Sequence, residues 1–164
     1  MDDALLILGA GQYGRLVFEI AETMGAFSKI DFLDDNSADA LAKISEYKLF
    51  SDCYSSAIVA IGNATLRETL LRDLKKAGFL LPAVISPYAF VSKTATISGG
   101  VVIEPMAVVQ TDAVVGKGSF ISSGAVIRHN AVVGDFCHCD CNSVIMSSAS
   151  VPNKTKIECL TVYK

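Results

Sequence analysis

The sequence predicts two structural regimes in one chain, a small α/β domain followed by a parallel β-helix. Two periodicities carry that prediction. Stepping by six from Val91 through Ile97, Ile103, Val109, Val115, Ile121, Ile127, Val133, Cys139, Ile145, Val151 and Ile157 meets Val or Ile every time except at Cys139. Before that run, short fully apolar segments alternate with stretches of helical spacing, the pattern of strands buried on both faces and joined by helices.

The α/β half is expected over residues 1–86. Ala4 to Leu8 is an apolar run of strand length. Gly9-Ala10-Gly11-Gln12-Tyr13-Gly14 follows it and opens a helix with Leu16, Val17, Ile20, Ala21 and Met24 on one face. Gly25 stands where a helix end favours a left-handed residue. Ile30 to Leu33 reads as a second strand, ending at Asp34-Asp35-Asn36. Residues 37–56 carry no clear pattern. Ala57 to Ile61 predicts another strand, ending at Gly62-Asn63. A capping box at Thr65-Leu66-Arg67-Glu68 then opens a helix with Leu66, Leu70, Leu71 and Leu74 inward. Pro82 to Ser86 predicts a last short strand, and Pro87-Tyr88 mark the change of regime.

The second half, residues 87–164, obeys the six-residue rule, which neither a helix nor a simple alternating strand produces. Each aliphatic points to the axis of a solenoid. The small residue two places earlier (Ala95, Ala107, Ala113, Ser119, Ala125, Ala131, Ala149) fits a tight corner. Stacked coils then build one continuous core.

Bulk properties exclude several function classes. With 51% apolar and 19% charged residues the chain sustains a packed core, and a net charge of −3 argues against a broad nucleic-acid surface. No window has the length of a membrane span. The acidic start, Met1-Asp2-Asp3, is unlike a secretory leader, so a cytoplasmic location is expected. The five cysteines are an odd count and are expected to be reduced. Cys137-His138-Cys139-Asp140-Cys141 has i, i+2, i+4 spacing rather than that of a zinc knuckle, so no metal is expected.

The repeat [Ile/Val]-x-x-x-[small]-x resembles the left-handed β-helix of hexapeptide acyltransferases. The order Leu-Gly-Ala-Gly-x-x-Gly-Arg, Phe-Leu-Asp-Asp-Asn and Ala-Ile-Gly-Asn narrows the resemblance. It points to bacterial sugar acetyltransferases of the sialic acid O-acetyltransferase and UDP-4-amino-sugar N-acetyltransferase type. The resemblance runs over nearly the whole chain. It implies a Rossmann-like N-terminal domain that holds a nucleotide-sugar acceptor, acetyl-CoA as co-substrate, and a homotrimer with its sites between neighbouring β-helices.

Carried over position by position, the resemblance assigns Gly9, Gly11, Tyr13 and Gly14 to the acceptor's phosphate, with Tyr13 where the family commonly has His. Asp34 and Asp35 would meet its sugar or base, and Ile61, Gly62 and Asn63 would line the same crevice. Ile127-Arg128-His129-Asn130 and Val133-Gly134-Asp135-Phe136-Cys137-His138 match the family's paired-histidine segment. His129 is then the general base, with Asn130 or Asp135 fixing its tautomer, and His138 and Ser147 lie along the acetyl-CoA groove. An attacking amine or hydroxyl must lose a proton, and imidazole titrates near working pH. A direct transfer is expected, with no covalent enzyme intermediate.

Other readings stay open on the residues alone. Taken by itself the glycine turn suits a nicotinamide dinucleotide, or no ligand at all. The two histidines by themselves read as ordinary surface residues. Asn142-Ser143 and Ser147-Ser148 stand where relatives carry glycines, and the chain ends at Thr161-Val162-Tyr163-Lys164. Both features fit a non-catalytic or degenerate sugar-nucleotide-binding trimer of the same fold.

Overall fold

The structure, a computed structural model, describes residues 3–164, which fall into two compact units dividing after Pro82. In the first unit β1 (Ala4–Leu8) is buried at every position and sits inside a four-stranded parallel sheet. It pairs on one side with β2 (Lys29–Leu33), which in turn pairs with β3 (Ala40–Ala42). On its other side it pairs with β4 (Ser56–Val59). A strand with neighbours on both sides and cover on both faces has no place for polar side chains, hence its uninterrupted aliphatic sequence.

Helix α1 (Gln12–Met24) buries Val17, Ile20 and Ala21, and Gly25 ends it at φ 62°, in the left-handed conformation. The unpatterned segment folds as β3 and a 3-10 helix over Ile44–Phe50 that buries Tyr47. Helix α2 (Ala64–Lys76) begins one residue before the expected capping box. Its cap is Asn63, whose side chain accepts from the Leu66 N–H at 2.9 Å. The buried positions are 67, 70, 71 and 74. Leu66 is left 45% exposed, and Arg67 takes its place in the interior. Carbonyl groups at the end of β4 accept from that buried guanidinium, Ile61 O at 2.7 Å and Gly62 O at 3.1 Å. A buried cation needs such partners.

The second unit is a left-handed parallel β-helix of two-residue strands, from β5 (Val84–Ile85) and β6 (Phe90–Val91) every six residues to β18 (Val162–Tyr163). They stack in three parallel sheets, so each face of the prism repeats every 18 residues. The second residue of each strand points inward, and those from Ile103 to Ile157 are at most 4% exposed. Each such side chain contributes about 1.5–3 kcal/mol of burial. The strand expected at 82–86 belongs here, because Val84–Ile85 pairs with Val102–Ile103. Ile85 lies one step of six before Val91 and Tyr163 one step after Ile157, so both extend the same phase.

A second regularity accompanies the first. The third residue after every inward aliphatic from Ile97 onward has positive φ, from Gly100 through Met106, Asp112, Gly118, Gly124, Asn130, Phe136, Asn142, Ser148 and Lys154 to Leu160. The corner demands a left-handed residue, and only some coils supply one that accepts it without strain. Among the described residues no helix is long and apolar enough to cross a membrane.

Candidate functional site

In the first unit three glycines meet three different demands. Gly9 has φ 110° and turns the chain against Ala60 and Ile61, where a Cβ would have 3.0 Å to the Ala60 carbonyl oxygen. A Cβ on Gly14 would drive into the Gly9 carbonyl, so helix and strand approach only because it is absent. Gly11 by contrast faces open space and caps α1 without a side chain. The first N–H groups of a helix then face outward, an arrangement suited to an anion. Tyr13 is half-buried in the same turn.

Asp34 holds this turn in place. Its Oδ2 accepts from the Ala10 N–H at 2.8 Å, and its Oδ1 accepts from Asn36 N–H at 2.8 Å and Ser37 N–H at 3.0 Å. The Ala10 bond, with those from Asn36 and Ser37, holds the carboxyl below its ordinary range against a smaller opposing effect of burial. Asp35 likewise accepts from the Ile44 N–H at 3.0 Å. Both carboxylates therefore organise loops at the ends of the strands, and Asn63 is engaged as the cap of α2.

In the β-helix His129 lies at the corner between the second and third faces. It is exposed and two residues past the inward Ile127. Its Nε2 is 2.8 Å from Ser147 Oγ, and its Nδ1 is 3.2 Å from the Asn130 side-chain amide. Its backbone N–H donates to Gln110 Oε1 at 3.1 Å. Phe90, Gln110, Thr111, His129 and Asn130 line one open groove. Asn130 has φ 57°, so it fills the left-handed corner while its amide meets the imidazole.

Asp135 is at a different corner, following Val133. Its Oδ1 accepts from the Lys117 N–H at 3.0 Å, and its Oδ2 is 3.3 Å from Lys117 Nζ. The structure thus brings Asn130 and Ser147 to His129, and gives Asp135 another partner. Thr111, His129 and Ser147 share one position in successive coils, since 18 residues separate each from the next. Gln110, 19 residues before His129 and one place before its coil equivalent Thr111, joins the site through that backbone bond, which the 18-residue alignment alone does not reveal.

His138 points outward from the first face, half-buried, with Nε2 3.0 Å from Ser122 Oγ and its ring edge-on to Phe120 at 5.9 Å. The two cysteines that flank it turn the opposite way. Cys137 and Cys139 are buried in the core, and burial, with the nearby Cys137 thiol, pushes the Cys139 thiol up to about 12. Burial also raises Cys141, helped by Glu104 and Asp140. Strand alternation therefore separates the ligand types of the Cys-His-Cys-Asp-Cys run. Among the described residues no three His, Cys, Asp or Glu side chains gather around a point fit for a metal ion. Asn142 and Ser148, where relatives carry glycine, adopt φ 55° and 63°, so the backbone keeps the course a glycine would take.

The family model of the PglD N-terminal domain matches residues 4–74. No curated protein matches the sequence significantly. Among solved structures, the acetyltransferase domain of PglB from Neisseria gonorrhoeae, in complex with acetyl coenzyme A, superposes with a TM-score of 0.84 at 25% identity. The match covers 97% of this chain and 92% of that one. A mutant perosamine N-acetyltransferase from Caulobacter crescentus, in complex with CoA and GDP-perosamine, gives 0.87 at 20% identity, over 98% and 88%. WeeI from Acinetobacter baumannii gives 0.63 at 16%, over 98% and 93%. The chain thus pairs a PglD N-terminal domain with a left-handed β-helix, and over nearly its whole length it is similar to the acetyltransferase domain of PglB.

Proposed function

We propose that this protein transfers an acetyl group from acetyl-CoA to an amine or hydroxyl of a nucleotide-linked amino sugar or a sialic-acid-like sugar, with His129 as the general base. The observation that carries the proposal is the corner itself. An exposed imidazole is held at both nitrogens, by Ser147 and Asn130, above an open groove. An acceptor amine or hydroxyl reaching Nε2 or Nδ1 would give up its proton there as it attacks the carbonyl carbon. His138, half-buried beside Ser122, is suited to hold part of the acetyl-CoA. The open Gly11 turn at the N-terminus of α1 is suited to the acceptor's phosphates.

The acting form is a homotrimer. The second face of the prism presents Phe90, Val108, Val126, Val144 and Val162 in one outward column, with Phe90 62% and Val162 52% exposed. A continuous apolar column on a sheet calls for a partner, and the His129 corner borders it. A second copy packed there would close the groove over the histidine.

Thermal-shift measurements with acetyl-CoA, UDP- and GDP-amino sugars and NAD(H), followed by an assay of CoA release, test the reading. Stabilisation by acetyl-CoA and a nucleotide sugar, with turnover lost in His129→Ala, is the expected result. Stabilisation by the nucleotide sugar alone, without turnover, would leave a non-catalytic binder. Stabilisation by NAD(H) alone would reassign the glycine turn.

A further inference from the structure

The corner between the first and second faces of the prism stacks two thiols. Cys141 and Cys159 are 18 residues apart, so they occupy one position in successive coils. Each lies two places past an inward residue, Cys139 or Ile157, and those two are register partners in one sheet. The turns that follow have the same shape, with Asn142 at φ 55° and Leu160 at φ 60°. Leu160 N–H donates to the Cys141 carbonyl at 3.1 Å, and Asp140 N–H to the Ile157 carbonyl at 3.0 Å, which locks the two corners in register. Paired strands lie about 4.8 Å apart, and a disulfide joins Cα atoms roughly 4.4–6.8 Å apart. The two thiols are therefore within reach of a bridge with no change of fold.

Their surroundings differ in a way that suits exchange. Cys159 is exposed and Cys141 is half-buried. The Cys159 thiol donates to the Asp140 carboxylate, which also accepts from the Cys141 N–H at 2.8 Å. Burial first, and then Glu104, Asp140 and Cys159, push the Cys141 thiol up. An exposed thiol meets a disulfide in solution, while a half-buried neighbour is shielded until that first bond has formed. The other two cysteines of the β-helix have no such neighbour. One coil on, Cys137 stacks on Thr155 and Cys139 on Ile157, and both thiols are buried in the core.

We propose that Cys141 and Cys159 form a thiol–disulfide exchange site that reacts with small disulfides of the glutathione class and, once closed, staples the edge coil of the β-helix. The Cys159 thiolate attacks one sulfur of the small disulfide. Its sulfur–sulfur bond breaks, and the first small thiol leaves with the proton that Cys159 gave up. Cys141 Sγ then displaces the second small thiol from the mixed disulfide, and its own proton goes with that leaving group. Two protein thiols are oxidised to one disulfide, and one small disulfide is reduced to two thiols. Strands β17 (Lys156–Ile157) and β18 stand at the ends of their sheets, where the backbone ladder is one-sided. The bridge closes a loop of one coil across that edge, which restricts the unfolded chain.

Incubating the reduced full chain with glutathione disulfide, alkylating the remaining thiols and mapping the peptides by mass tests this. The expected result is a bridge between Cys141 and Cys159 that dithiothreitol removes, with two glutathione thiols released per bridge. The melting temperature of the bridged chain should rise by about 5 °C. Cys141→Ser should stop at a glutathione adduct on Cys159 with no such rise. Cys159→Ser should react ~10-fold more slowly or less, because its remaining thiol is half-buried. A wild-type chain that stops at the adduct, links Cys159 to a second chain, or fails to react at either cysteine would overturn the pairing. A bridge that leaves the melting temperature unchanged would overturn the staple. Acetyl transfer enters none of these readouts.

Discussion

His129 and Ser147 are one coil apart in the prism, and the 2.8 Å between Nε2 and Oγ is set by the stacking of coils rather than by a flexible loop. An imidazole held in place on a rigid scaffold has little reorganisation to perform when a substrate arrives. The first prediction follows. His129→Ala should lower kcat/KM by about a hundred- to ten-thousand-fold, while the melting temperature stays within experimental error, because the side chain is exposed and buries little. Steady-state kinetics beside a thermal melt check this. Near wild-type turnover in a folded variant would remove the imidazole from the chemistry.

Gly14 and Gly11 separate packing from ligand approach. Gly14→Ala places a Cβ against the Gly9 carbonyl, and the expected loss of stability is about 2 kcal/mol or more. Gly11→Ala meets nothing within 4 Å. It should leave stability within about 0.5 kcal/mol and weaken nucleotide-sugar binding, measured by titration calorimetry. Equal destabilisation by both would mean that the turn is wholly structural.

The six-residue step made the β-helix legible because every coil repeats the same packing problem, and each inward Val or Ile answers it alone. The same rule reaches Ile85 and Tyr163, which lie in phase on either side of the Val91–Ile157 run. What escaped depended on contacts between coils or on a competing cap. Thr65 and Glu68 satisfy a capping pattern, but Asn63 captures the helix end first, and Arg67 rather than Leu66 is inward, where the Ile61 and Gly62 carbonyls accept from it. Asp135 is near His129 in sequence, yet one hexapeptide moves it to the next corner, where it meets Lys117. Ser147 is far in sequence and adjacent in space. Asp34 and Asp35 matched a ligand-binding pattern, whereas their bonds to Ala10 and Ile44 emerge only once the loops are folded.

Asp34 makes a prediction about pH. Its folded carboxyl titrates below the ordinary 3.8, chiefly because of the Ala10 N–H. The stability it contributes is therefore complete above the unfolded value, and is lost as pH falls through the depressed folded one. Asp34→Asn should cost about 1–2 kcal/mol at neutral pH, from weakened bonds to three N–H groups. It should also flatten the loss of stability below about pH 4. Urea midpoints measured across that range decide it, and an unchanged acid slope would show that other carboxylates dominate.

Met106 and Leu160 sit at left-handed corners with φ 66° and 60°, and both side chains are more than 70% exposed. Their conformational strain is not offset by burial. Replacing either by Asn, which tolerates this conformation as Asn130 and Asn142 do here, should stabilise the β-helix by about 1 kcal/mol. Denaturant melts of each single variant measure this. Phe136 has the same φ sign but is buried, so Phe136→Asn should destabilise the fold instead. The three variants together distinguish backbone strain from side-chain packing.

Val144 lies in the middle of the outward column on the second face, paired in register with Val126 and Val162. A carboxylate there would have to be desolvated against an apolar partner surface, which costs more than such an interface gains per residue. In a lone prism the same side chain would remain in water at little cost. Val144→Asp should therefore keep its secondary structure by circular dichroism, shift from trimer to monomer by light scattering, and lose most acetyl transfer because the groove beside His129 loses its second wall. A trimer that persists in Val144→Asp would place the contact on another face. A fully active monomer would show that each prism builds the entire site alone.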